Sequence, residues 1–378
     1  MTAARSEISQ VLRQLVVEAG VAPAATAGFV FGTGPGLGDG RAYIGAAGAL
    51  PEGPASAETI FDLASVSKPV VACTAARLVS RGELTLSTPL GQLLPLARGT
   101  RSGDVPLELF LAHRAGLEAH QPLFAPMFAG RAISPERALR SAANARRPDC
   151  DGTPPPAGFA PVYSDMGYAL VGAAIEAVSG LPLDECVERE VCEPLGLALG
   201  SARRLRQRWA DFDQRVAPTE VVRARGGVVR GIVHDENAWA LSGHGSSGHA
   251  GSFGRIADVL GFGQALLLAY AGQSRWLSRE ALWPLVMPRA GGSLRAGFDG
   301  KSETGSSAGA QCGPEAFGHL GFTGTSLWCD PAAGIAAALL TNRVHPTRDN
   351  PRIRAARPAV HDALFGAAKG LLPGPPNP

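Results

Sequence analysis

Ser65 and Lys68 stand three residues apart in FDLASVSKPVVACTAARLVSRGEL. On a helix that spacing places a hydroxyl and an amine on one face, one turn apart. A hydroxyl attacks a carbonyl once a base removes its proton, and a lysine serves as that base once its surroundings bring its pKa down toward neutrality. Pro69 is tolerated near a helix start, which predicts a helix beginning within about a turn of Ser65, with the hydroxyl at the positive end of the helix dipole. Composition adds weight. Only three of the 35 cationic residues are lysine, namely Lys68, Lys301 and Lys369. Arginine cannot give up its proton, so a lysine kept inside an apolar helical pattern is a candidate for chemistry.

Alone, this spacing recurs by chance. Two further segments support it. VYSDMGYALVG places Tyr163, one of four tyrosines, and Asp165 just before a helical pattern; a phenol near a lysine can shuttle protons. FGHLGFTGTSLWCDP places His319, Leu320 and Gly321 on an expected strand whose glycines let a substrate approach the backbone. Two other patterns compete. Gly305-Ser306-Ser307-Ala308-Gly309 fits a G-x-S-x-G elbow, but that elbow needs a buried strand before it and a helix after it, and neither is expected here. His234-Asp235-Glu236 with His244 and His249 suggests a metal, yet the spacing matches no H-E-x-x-H helix. Contacts lining a cleft are the expected role, and no metal or cofactor is expected.

In this order and at these separations the segments resemble the class C β-lactamases and penicillin-binding proteins, with the related family VIII esterases and D-aminopeptidases, over roughly residues 25 to 345. The family's S-x-x-K, Y-x-N and K-T-G or H-x-G motifs correspond to Ser65…Lys68, Tyr163…Asp165 and His319…Gly321. LELFLAHRAGL, PPPAGFAPVYSD, VHDENAWAL, SGHAGSF and LLTNRVHP also look like family segments. The resemblance implies a serine hydrolase of small esters, amides or peptides, esterase-like first, with β-lactamase or D-Ala peptidase activity as alternatives and a non-catalytic binding protein as the rival. It implies Ser65 as the acylated residue and Lys68 with Tyr163 sharing base and acid work. The backbone N–H groups of Ser65 and Phe322 would form the oxyanion hole, and Asp165, His319, Gly321 and Asn342 would meet the substrate. The chain departs from the pattern where Asp165 replaces Asn and where His319 and Leu320 replace Lys-Thr, with Arg343 as a possible substitute cation.

These residues need a scaffold. TAGFVF and RAYIGAAGAL read as strands joined by GTGPGLGDG, a hairpin turn rather than a dinucleotide loop because the third glycine of G-x-G-x-x-G is missing at Leu37. A helix is expected over about 5–19, GYALVGAAIEAVSG reads as a helix stopped by Gly180, and IADVLGFGQALLLAYAG reads as another. Residues 202–232 look irregular and 242–254 flexible. Strands return in TGTSLWCD and AAGIAAALLTN, before a last helix over about 351–371. The expected fold is α/β (α+β): an antiparallel sheet flanked by helices from residues 1–64 and 286–378, plus a mainly helical lobe from 65–285, with a cleft between them. Net charge is +2, which argues against nucleic acid. No apolar run is long enough for a membrane span and no secretory signal is evident, so the cytoplasm is expected. The six cysteines form no C-x-x-C pair and read as apolar fillers.

Overall fold

Eight consecutive buried residues form strand β1 (Ala24–Phe31). A strand with no polar face belongs in the middle of a sheet covered on both sides. The computed structural model, which describes residues 2–32 and 41–372, places β1 there. With β2 (Tyr43–Leu50), β3 (Gly53–Pro54), β4 (Asp299–Gly300), β5 (Phe317–Leu320), β6 (Ser326–Asp330) and β7 (Ile335–Thr341), it makes a seven-stranded sheet in the order β3-β2-β1-β7-β6-β5-β4. Every pairing is antiparallel. The two ends of the chain meet at β1 and β7, where Ala25 faces Thr341 and Phe31 faces Ile335.

Helices α1 (Thr2–Leu12) and α6 (Ile353–Gly370) cover one face, burying Leu12, Phe29, Trp328 and Phe365 together. The N-terminal helix continues as a wide-turned π segment, Arg13–Glu18. Helices α2 (Ser67–Ser80), α3 (Asp165–Ser179), α4 (Glu236–Ser242) and α5 (Ile256–Tyr270) lie in the long middle span. α3 stops, as expected, at Gly180 in the left-handed region with φ 67°. α5 comes from near the end of the span expected to be a helical lobe, yet it packs on the sheet: Leu260 shares one core with Val30, Leu327 and Ala336. Among the described residues no single helix is long and apolar enough to cross a membrane. The six cysteines are buried free thiols. The turn expected in GTGPGLGDG falls at 33–40, outside the described residues.

The segment 242–254 was expected to be flexible, and its second part, 247–254, is instead tightly packed. A Cβ on Gly248 would sit 1.7 Å from the Tyr168 carbonyl oxygen, and Ser247, His249 and Ala250 are all buried. The run of small residues marks close backbone approach to α3 rather than mobility. Residues 301–316, which contain the G-x-S-x-G match, form neither helix nor strand, so Ser307 has no elbow geometry.

Candidate active site

Ser65 is presented by a strained turn. Ala64, just before it, has φ 47°, a left-handed conformation uncommon outside glycine. The Asp62 carboxylate holds the turn: one oxygen accepts from the Ala64 N–H at 2.8 Å and the other from the His234 N–H at 2.7 Å. Burial pushes the Asp62 carboxyl above its ordinary range, against the pull of these hydrogen bonds. Ser65 lies in the single 3₁₀ turn Ala64–Val66 that leads into α2, as the position of Pro69 predicts.

Lys68, in the first turn of α2, is fully buried. Its Nζ donates to Ser65 Oγ at 2.8 Å, to Asp165 Oδ1 at 2.7 Å and to the His249 carbonyl at 3.3 Å. An ammonium has three protons to donate, and all three are committed. The nitrogen also lies 4.7 Å from the centre of the Tyr163 ring. The condition for Lys68 to act directly as a base, a pKa brought down toward neutrality, is not met at rest; Asp165 holds it charged, as a carboxylate in place of asparagine can. Burial does favour the free amine, but the Asp165 carboxylate and then Tyr163 outweigh it and hold the amine above its ordinary range. Burial raises the Asp165 carboxyl, but the Lys68 charge and its hydrogen bond bring it below the usual carboxylate range. Burial pushes the Tyr163 phenol up, although Lys68 pulls against it. The resting site is an ammonium–carboxylate pair beside a neutral phenol.

Asp165 opens α3, where a carboxylate meets the positive end of the helix dipole. Tyr163 is placed by His113, whose ring lies 4.6 Å from the phenol ring and whose Nδ1 accepts from the Ser164 N–H at 3.1 Å. His113 is left neutral by burial first and by Lys68 second, which bring it down to about 3. Its presence in LELFLAHRAGL gave only a motif match; the ring contact gives it a task.

The opposite wall is the open edge of β5. Strand β4 pairs only with Phe317 and Gly318, so His319 and Leu320 have no strand beyond them. The β5–β6 turn is latched to the backbone just before Ser65. Thr323 Oγ1 donates to the Asp62 carbonyl at 2.7 Å and Thr325 Oγ1 to the Leu63 carbonyl at 2.8 Å. His319 is buried and brought down to about 3, mainly by burial and then by Lys68, so it carries no charge toward a substrate near neutrality. Phe322 is half exposed. Its ring stacks at 5.7 Å on His234 and lies 4.5 Å from the Arg343 guanidinium.

A cavity of about 790 Å³ joins these groups and is lined by Ser65, Tyr163, Asp165, His319, Gly321 and Phe322 among others. Lys68 lies beneath it. Asn342 was expected at the substrate and does not line the cavity. Its Oδ1 accepts from the Ala24 N–H at 3.0 Å and its Nδ2 donates to the Pro218 carbonyl at 3.1 Å, so both ends of the amide brace the scaffold. Arg343 does line the cavity, but its guanidinium already binds the carbonyls of Phe322, Arg348 and Asn350. Sequence reasoning passed over Arg354 and Arg357, which line the same wall and make no ion pair with a carboxylate among the described residues. Nothing separated them from the chain's other arginines until α6 brought them to the cavity. The three histidines of the suspected metal cluster diverge: His234 meets Glu220, His249 meets Asp235 and Ser247, and His244 meets Arg206.

An antiparallel sheet with helices on both faces, and a serine–lysine pair at the sheet edge, is the frame of a serine hydrolase. A family model described as Beta-lactamase matches residues 24–361, and the chain belongs to that family of serine hydrolases. It is 31% identical over 325 residues to an N-acetylmuramyl-L-alanine amidase of Bacillus subtilis (strain 168), which covers 78% of this chain and 71% of the relative. Among solved structures it is similar to EstCE1, a hydrolase with promiscuous acyltransferase activity, with TM-score 0.70, 21% identity, and 96% of this chain and 100% of that one covered. A penicillin-binding protein homologue from Caulobacter crescentus gives TM-score 0.66 at 20% identity, covering 96% and 97% of the two chains.

Proposed function

We propose that the chain is an esterase-like hydrolase that forms an acyl-enzyme on Ser65. The observation that carries this reading is the Lys68 Nζ placed 2.8 Å from Ser65 Oγ and 2.7 Å from Asp165 Oδ1 at the floor of the cavity. Lys68 first passes one proton to Asp165, leaving an amine and a carboxylic acid. The amine lone pair takes the Ser65 proton as Oγ bonds to the substrate carbonyl carbon. The carbonyl electron pair moves onto oxygen, received by the backbone N–H groups of Ser65 and Phe322. When that pair returns, the carbon–leaving-group bond breaks and the leaving group takes a proton from Lys68 through Tyr163. Water then repeats the sequence to release the acid. Each oxyanion donor is worth about 10²–10³ in rate.

The wall that faces the substrate supports an ester. Leu320 offers no hydrogen bond from its side chain and His319 is neutral, so the strand carries no charged side chain to receive a substrate carboxylate. One observation favours a second reading, an amide or peptide that carries an acid group. Arg354 lines the cavity with no carboxylate partner among the described residues, whereas Arg357, like Arg343, already donates to backbone carbonyls (Gly321 and Thr325), and the Bacillus relative is an amidase by name. A fluorophosphonate label located by mass spectrometry, together with kcat/KM for p-nitrophenyl butyrate, nitrocefin, a D-alanyl-D-alanine peptide and N-acetylmuramyl-L-alanine, tests both. The expected result is an adduct on Ser65, abolished by Ser65→Ala, with the butyrate ester turned over best. An adduct elsewhere ends the acyl-enzyme reading; an acid-bearing substrate turned over best replaces the ester with that class.

A further inference from the structure

The segment that supplies Lys68 with its third acceptor also holds a chain of hydrogen bonds that the proposed reaction leaves unused. Ser247 Oγ lies 3.1 Å from His249 Nδ1, and His249 Nε2 lies 2.8 Å from Asp235 Oδ1. Ser247 and His249 are buried, whereas Asp235 reaches the cavity beside Asp165. An ionised Asp235 fixes the tautomer: Nε2–H donates to the carboxylate, and Nδ1 accepts from the Ser247 hydroxyl. The ring is thus clamped at both nitrogens, and the carbonyl of the same residue is the one that receives Lys68 Nζ. Asp235 is itself anchored, because Oδ1 also caps α4 by accepting from the Ala238 N–H at 2.8 Å.

We propose that Asp235 and His249 are a positioning pair for the Lys68–Asp165 proton transfer: hydrogen bonds at both ring nitrogens fix the imidazole and aim the His249 carbonyl at Lys68. This rests on the acyl-enzyme reading. The charged and titratable groups around the imidazole are Asp235 from the start of α4, Lys68 from α2, and Asp165 with Tyr163 at the start of α3. Asp235 raises the proton affinity of Asp165, whereas a charged His249 lowers it. Removing the Asp235 charge therefore makes Asp165 more reluctant to take the Lys68 proton, and it keeps Asp165 ionised to lower pH.

Asp235→Asn isolates this role, since an amide oxygen still caps α4 and still accepts from Nε2–H. With p-nitrophenyl butyrate and the full chain, kcat is expected to fall about ten- to a hundredfold while KM stays within about twofold. The acid limb of kcat/KM is expected to move to lower pH. His249→Gln, which keeps donor and acceptor groups, is expected to retain more kcat than His249→Ala. Fluorophosphonate labelling of the unmodified chain separates the two ideas. No adduct on Ser65 overturns the acyl-enzyme reading. An adduct on Ser65 together with a D235N profile that overlays the unmodified one overturns only the pair's role, as does equal loss in the Gln and Ala variants. A D235N protein with a lowered unfolding midpoint and an unmoved acid limb overturns it too, by showing Asp235 to be a helix cap alone.

Discussion

An ammonium at Lys68 with all three protons committed has to shed one before it can take the proton of Ser65, and Asp165 is the nearest acceptor at 2.7 Å. The related pattern places an asparagine at this position, which would leave the lysine to lose its proton to solvent. The carboxylate here keeps that proton within the pair. The pair is ready whenever Asp165 is ionised, and Asp165 is held below its ordinary value of 3.8 with Lys68 as the leading opposing charge. Activity should therefore persist well into acid, as far as the fold survives, and fail as pH drops through the Asp165 value. Asp165→Asn tests this. Lys68 would lose its principal counter-charge, and burial would then lower its proton affinity, but the productive form would need full deprotonation. The acid limb of kcat/KM should move to higher pH, with activity at pH 6 reduced by at least about tenfold and recovering as pH rises. A pH–rate profile for the variant that overlays the original would remove Asp165 from the proton path. Ser65, Lys68, Tyr163 and His319 were legible in the sequence because residue type and order carry the signal. That a carboxylate at Asp165 can hold Lys68 charged was legible too; that it reaches Lys68 was not, because this is a distance between residues 97 apart in the chain.

The elements place these groups through close backbone contacts, and glycine marks the closest. At Gly321 an added Cβ would sit 1.9 Å from Thr325 Oγ1 and 2.5 Å from the Leu63 carbonyl oxygen, the donor and acceptor of one threonine latch. Gly321→Ala should break that latch, shift the β5–β6 turn away from Ser65, and lower kcat/KM by about a hundredfold or more, within the range of losing an oxyanion donor. Gly366→Ala is the control. It lies on the exposed side of α6 with nothing within 4 Å of its Cβ, so it should raise stability by about 0.5–1 kcal/mol and leave turnover unchanged. Comparing unfolding midpoints and kcat/KM for the two variants checks the contrast. The elements themselves were largely readable. Periodicity found α3, α5 and α6 and the strand pair β6–β7 close to their observed bounds. What escaped was mostly tertiary. Segment 242–254 looked flexible because Gly and Ser dominate it, and the same small side chains are what let its second part, 247–254, pack on α3. Asn342 looked like a substrate ligand from its place in LLTNRVHP, and only the fold shows its amide spent on Ala24 and Pro218. The threonine latches have no sequence signature, since each joins a side chain to a backbone carbonyl more than 260 positions away.

Over the whole molecule, three buried imidazoles tie stability to pH. Burial, as the leading cause, holds each of His113, His319 and His361 down at about 3, against an ordinary 6.5. His113 and His319 flank Tyr163, and His361 on α6 meets Ser326 Oγ of β6 at 2.8 Å beneath the sheet. The folded chain keeps all three neutral, whereas the unfolded chain protonates them below about pH 6.5, so the unfolded state binds more protons there. Stability is therefore full above that pH and falls as pH drops toward about 3. Each imidazole contributes a slope approaching about 1.4 kcal/mol per pH unit, or about 4 for the three together. Asp62 and Asp299 oppose this, because burial holds their carboxyls above 3.8 and the folded state takes up those protons more readily. Unfolding by urea at pH 7.5, 6.5, 5.5 and 5.0 measures the slope directly. His361→Gln isolates one contribution away from the cavity: an amide nitrogen or oxygen can still meet Ser326 Oγ but does not titrate. The variant should cost some stability at pH 7.5, and its stability should fall less than that of the unmodified chain between pH 6.5 and 5.0, by up to about 1.4 kcal/mol per pH unit. Parallel curves for the two proteins would mean that His361 is already solvated and free to protonate in the folded state.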